Sequence, residues 1–216
     1  MDKAFIFDMD GVIVNSEIVW EKYEEVFLSG LLGKDIYKKI KGDLLGSTAK
    51  VIFELARKYG LALSRDEFFQ KYDHQAVLVY KESKLTKDIE VLIEKLVAMN
   101  FNIGLVTSSR SLWIDQVLPR LKNRNSFKYV LSIGDRDDLE SKPSPAGYLE
   151  AMKKLNSTPG KTIILEDSNK GIQSAKKSGA LTVCLREHLR KNYLPQGADI
   201  YIDDLASLIK LLEVTK

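Results

Sequence analysis

Residues 5–17 read FIFDMDGVIVNSE, an apolar run that ends in two aspartates one residue apart and resumes after Gly11. A run of four or five apolar residues stopped by acids fits the carboxyl end of a buried strand rather than a helix. Four more runs of the same kind follow, at 102–106, 129–133, 162–165 and 181–185. They are continuously apolar rather than alternating, which is the pattern of a parallel sheet covered on both faces. Between the later runs lie amphipathic stretches at 109–121, 145–155 and 169–178, and the alternation predicts an α/β fold with a doubly wound, Rossmann-like parallel sheet. DIYIDD (199–204) adds an edge strand and LASLIKLLEV a closing helix.

The interval 16–83 breaks this rhythm. Stretches such as VIFELARKYG and SRDEFFQKYDHQAVLVYK have helical periodicity and no strand signal. Roughly 70 residues are too many for one crossover. The expectation is an all-α cap domain at 16–83 inserted into a catalytic core of 1–15 and 84–216, with tethers near Asn15 and Lys84.

Composition narrows the classes. The chain has 216 residues, 44% hydrophobic and 29% charged, a formal charge of +3 and a single cysteine. No apolar run approaches the ~20 residues of a membrane span. No basic block interleaved with aromatics suggests nucleic-acid binding. One cysteine permits no internal disulfide and fits a reducing, cytoplasmic setting. Nothing in the pattern sets an oligomeric state.

Ligands of parallel α/β sheets sit beyond the carboxyl ends of the strands. Those ends carry Asp8 and Asp10, then Thr107, Ser108 and Ser109, then Glu166 and Asp167, with Lys142 in the loop ESKPSP. Crowded carboxylates repel unless a cation or protons neutralise them. An oxygen-only donor set without His or Cys suits Mg²⁺. Hydroxyls and a lysine suit the remaining oxygens of a phosphate. A free carboxylate facing phosphorus can attack it, and a second acid can protonate the leaving oxygen.

DMDGV (8–12), VTSS (106–109), the lysine of KPSP (142–145) and LEDS (165–168) together resemble the four motifs of the haloacid dehalogenase superfamily, in the family's order. The resemblance implies a Rossmann-like core, a helical cap after the first motif, and Mg²⁺-dependent hydrolysis of a small phosphorylated metabolite such as a sugar phosphate. By position it makes Asp8 nucleophile and metal ligand. It makes Asp10 the acid/base, which also gives the metal its backbone carbonyl. Thr107, Ser108 and Lys142 would hold the phosphoryl group, and Glu166 with Asp167 would complete the metal site. Members that dehalogenate typically lack an acid matching Asp10. A β-phosphoglucomutase-type mutase is the alternative within the family, but that branch tends to carry histidine where Trp20 stands and arginine near Ala49. A phosphorylation-responsive signalling module is the alternative of another class.

Several tempting signals fail. PGKT (159–162) has Leu155 where a phosphate-binding loop needs glycine, and a strand follows it. An EF-hand beginning at Asp8 would need glycine and glutamate where Ile13 and Val19 stand. His74 and His188 lack paired ligand spacing, and Cys184 reads as a small buried apolar residue.

Overall fold

The computed structural model describes residues 1–44 and 47–214. Six strands form one parallel sheet: β1 (Lys3–Phe7), β2 (Phe101–Thr107), β3 (Phe127–Ser132), β4 (Thr162–Glu166), β5 (Leu181–Leu185) and β6 (Ile200–Ile202). Their order is β3-β2-β1-β4-β5-β6. The chain winds outward in one direction from β1 and then in the other from β4, so the crevice between β1 and β4 is the switch point where such sheets bind ligands. In register, Phe7 lies beside Leu105 on one side and Leu165 on the other. The residues that follow β1, β2 and β4 therefore emerge together at one edge.

Nine α-helices are described. Between β1 and β2 run α1 (Ser16–Leu32), α2 (Lys34–Ile40), α3 (Ala49–Lys58), α4 (Arg65–Glu82) and α5 (Ile89–Ala98). The rest are α6 (Ser111–Val117), α7 (Ala146–Lys154), α8 (Asn169–Ser178) and α9 (Leu205–Val214). Among the described residues, 16–83 holds helices and turns and no strand. The caps explain where two of these helices start. Thr48 accepts from Val51 N before α3, and Ser64 forms a reciprocal capping box with Glu67 before α4. No described helix is long and apolar enough to cross a membrane.

The bounds differ most from the sequence reading at one helix, and one helix is additional. The helix expected from residue 109 begins at Ser111, because Ser109 is drawn into the loop: its N–H donates to Thr107 Oγ1 and its carbonyl accepts from Ser132 Oγ. That helix ends at Val117 in a 3-10 turn that contains Pro119, which has no N–H to continue an α-helical ladder. Helix α5 was not anticipated, although Ile89, Leu92, Ile93 and Leu96 recur at helical spacing and are buried.

The chain entering and leaving the helical segment runs side by side. Val14 bridges antiparallel to Leu85, Asn15 N donates to Lys84 O at 3.0 Å, and Lys84 N donates to Asn15 Oδ1 at 2.7 Å. The segment packs through α4 against α6, where Tyr72 stacks on Trp113 with centroids 5.7 Å apart. Asp73 accepts from Trp113 Nε1 at 2.8 Å and pairs with Arg110.

Candidate active site

Asp8 follows β1, with its N–H donating to Leu165 O across the switch point at 2.9 Å. The next turn is tight: Ile13 N donates to Met9 O and Gly11 N to Val14 O. Gly11 has φ +71°, and a Cβ there would lie 1.9 Å from Asp167 Oδ2. Glycine thus lets the turn after β1 come against the carboxylate that follows β4.

Lys142 Nζ lies between two carboxylates, 2.7 Å from Asp8 Oδ1 and 2.6 Å from Glu166 Oε1. It also donates to Val106 O at 3.2 Å, so one ammonium ties the ends of β1, β2 and β4. Burial alone would lower its pKa, but Asp8 and Glu166 outweigh burial and hold it well above the usual lysine value. Glu166 is completely buried and its oxygens are engaged. Oε1 also accepts from Tyr148 OH at 2.6 Å, and Oε2 accepts from Asp167 N and Ser168 Oγ. A Cβ on Gly171 would sit 1.9 Å from this carboxylate, so α8 can begin there only with glycine.

Asp8, Glu166 and Asp167 each place a carboxylate oxygen within 4.8 Å of the others. If all three are ionised, the one ammonium among them leaves two negative charges uncompensated. Burial, then Glu166 and Asp8, push the Asp167 carboxyl well above its ordinary value. Burial does the same to Asp8, with Lys142 opposing and Glu166 and Asp10 adding. Asp167 has no hydrogen-bond partner for its side chain among the described residues. Two uncompensated charges beside unfilled carboxylate oxygens, with no nitrogen or sulfur donor in the cluster, fit a hard divalent cation.

Asp10 is turned elsewhere. Its Oδ1 accepts from Ser16 Oγ at 2.5 Å and Tyr80 OH at 2.7 Å, and its Oδ2 accepts from Ser109 Oγ at 2.6 Å. Its carboxylate is thereby separated from the acidic cluster and aimed by the helical segment.

A cavity of about 150 Å³ opens over these groups. Asp8, Asp10, Thr107, Ser108, Lys142 and Asp167 line it, while Glu166 lies behind. The sequence reading did not find Tyr80, Ser16 or Tyr148. Tyr148 carried a faint signal, since a tyrosine at a buried helical position needs a partner for its hydroxyl. Tyr80 carried none. Trp20 and Ala49 also line the cavity, Trp20 packed on Tyr72 at 5.4 Å. Lys50 pairs with Asp137 at 2.8 Å, and His188 bonds Thr86 Oγ1 at 3.1 Å, outside the acidic cluster. Cys184 is buried, and burial pushes its thiol up to about 12.

A profile of the haloacid dehalogenase-like hydrolases matches residues 5–185. The chain belongs to that family. Hexitol phosphatase B of Escherichia coli (strain K12) is 29% identical over 177 residues, covering 80% of this chain and 78% of that protein. The phosphorylated carbohydrates phosphatase of Thermotoga maritima is 28% identical over 185 residues, covering 82% of each. In fold, the chain is similar to CbbY from Rhodobacter sphaeroides, with a TM-score of 0.78 at 21% identity over 96% of both chains. It is similar also to beta-phosphoglucomutase from Clostridium difficile, with a TM-score of 0.69 at 20% identity over 99% of this chain and 96% of that one. Membership and these phosphatase relatives make the chain a hydrolase acting on phosphate esters.

Gly171→Ala is expected to push a methyl group into the Glu166 carboxylate and to cost about 1–3 kcal/mol of stability. Gly160→Ala, where a Cβ meets nothing within 4 Å, should stay within about 0.5 kcal/mol of wild type. Thermal or denaturant unfolding of both variants checks the pair, and equal effects would contradict the close approach at Gly171.

Proposed function

We propose that this hydrolase is a Mg²⁺-dependent phosphatase of small phosphate monoesters, of the sugar-phosphate kind, working through an aspartyl-phosphate. The coarser statement rests on the family and on relatives that are phosphatases of phosphorylated carbohydrates. The observation that carries the finer one is the division of labour between two aspartates two residues apart. Asp8 lies in the buried acidic cluster beside Lys142, and Asp10 is held outside it by three hydroxyl groups.

Asp8 is the nucleophile in this reading. A carboxylate oxygen attacks phosphorus, the bond from phosphorus to the ester oxygen breaks, and Asp10 hands its proton to the leaving alcohol. One of the three hydrogen bonds at Asp10 then yields to the ester oxygen. In the second half Asp10 takes a proton from water as that water attacks phosphorus, which frees Asp8 and releases inorganic phosphate. Lys142, Thr107 and Ser108 hold the phosphoryl oxygens. The metal would be held by Asp8 and Asp167, with Glu166 behind them and the backbone carbonyl of Asp10, and would supply positive charge against the phosphate. Trp20 and Ala49 line the cavity where a mutase of this family would carry histidine and arginine, which favours water over a sugar hydroxyl as acceptor. The buried single cysteine accords with a cytoplasmic protein.

Residues 16–83 are the cap in this reading, hinged at the paired tethers Asn15 and Lys84. Tyr80 reaches Asp10 from this segment, so the acid/base is fully oriented only with the cap down. Closure also excludes water and strengthens the electrostatics at the phosphate.

Phosphate release from a panel of sugar phosphates should stop with EDTA and return with Mg²⁺, and full activity of metal-free protein would overturn the metal's role. Asp10→Asn should lower kcat by about 100- to 10,000-fold, as loss of acid–base catalysis does. A near wild-type rate would remove Asp10 from that role. Small-angle scattering should show a more compact molecule with Mg²⁺ and a phosphate analogue than without, and identical profiles would contradict a moving cap.

A further inference from the structure

Away from the reacting carboxylates, the cavity is walled by Glu17, Trp20 and Glu24, spaced i, i+3 and i+7 along α1 and so on one helical face. Arg190, in the loop after β5, reaches across to this face. Its Nε donates to Glu17 Oε2 at 3.1 Å and its terminal nitrogen to Glu24 Oε2 at 2.5 Å. The ion pairs are partly shielded, with Arg190 14% exposed, Glu17 31% and Glu24 22%. Burial alone would lower the Arg190 pKa, but Glu17 and Glu24 outweigh it and keep the guanidinium charged.

One guanidinium between two carboxylates leaves a net negative charge on this wall. Each carboxylate also keeps its Oε1 without a partner among the described residues. Those oxygens accept hydrogen bonds and donate none, unless protonated. Trp20, packed on Tyr72, adds an apolar surface beside them. Lys170, the lining cation without a carboxylate partner among the described residues, stands three residues after Asp167 at the start of α8, bonded to Ser47 Oγ at 3.3 Å.

Resting on the phosphatase reading, we propose that the Glu17–Arg190–Glu24 cluster sets the substrate class. It accepts the hydroxyl groups of a neutral polyol or sugar monophosphate and turns away esters that carry a second anionic group. Hydroxyl donors to a carboxylate make charge-assisted bonds, which are the strong ones. A second carboxylate or phosphate would face two like charges across a partly shielded space. An alcohol without hydroxyls would strip water from the free oxygens and return nothing, and that is how a hydroxyl-reading site discriminates.

The test measures kcat/KM of the full chain with Mg²⁺ for a hexitol phosphate, propyl phosphate, phosphoglycolate and p-nitrophenyl phosphate. Wild type should favour the hexitol phosphate over phosphoglycolate and over propyl phosphate by about 100-fold or more. Glu24→Gln should shrink the preference over phosphoglycolate by about 10-fold or more, as one charge leaves the wall. The ratio is taken within one preparation, so the folded fraction cancels. Phosphoglycolate or propyl phosphate hydrolysed as well as the hexitol phosphate overturns the inference, and so does an unchanged ratio in Glu24→Gln. Release from p-nitrophenyl phosphate with either result leaves the phosphatase reading intact. Release from none of the four esters removes that reading and this inference together.

Discussion

A single buried ammonium organises the site. Lys142 bonds Asp8, Glu166 and the carbonyl of Val106, joining the ends of three adjacent strands, two of which carry carboxylates that would otherwise repel one another. Charges taken out of water are costly, and removing one partner of a buried pair costs about 3–5 kcal/mol because the other is left uncompensated. The arrangement therefore holds only if every neighbour conforms. Gly11 and Gly171 conform by having no side chain where Asp167 and Glu166 need the space. Tyr148 conforms by giving its hydroxyl to Glu166. The lysine still balances only part of the charge, and that residue of negative charge makes the site receptive to a divalent cation.

The same constraint separates the aspartates chemically. Asp8 leaves the strand directly into the cluster, where burial and neighbouring acids push its carboxyl up and Lys142 pulls it down. Asp10 lies within the turn that follows β1, where its carboxylate meets hydroxyls. Two of those hydroxyls, on Ser16 and Tyr80, come from α1 and α4, and the third comes from Ser109 after β2.

The sheet was legible because its strands are buried on both faces and read as unbroken apolar runs. The candidate site was legible because Asp8, Glu166 and Asp167 sit at or just beyond strand ends, where topology brings them together, and Lys142 lies in the loop between β3 and α7. What stayed hidden depends on contacts distant in sequence. Tyr80 is 70 residues from Asp10, and Arg190 is 173 from Glu17. No local pattern marks such pairs. Ser109 was read as the first residue of a helix, and only the carbonyl it offers Ser132 and the N–H it gives Thr107 place it in the loop.

The proposed mechanism requires Asp8 to carry the phosphoryl group. Its most direct test is to quench the wild-type protein in acid during reaction with a sugar phosphate and Mg²⁺, reduce it with borohydride, and locate the modified residue by peptide mass spectrometry. The expected result is reduction of the residue 8 side chain, reporting an acyl phosphate there, and none without substrate. A modified residue elsewhere, or substrate turnover with residue 8 unmodified at every quench time, would contradict the assignment.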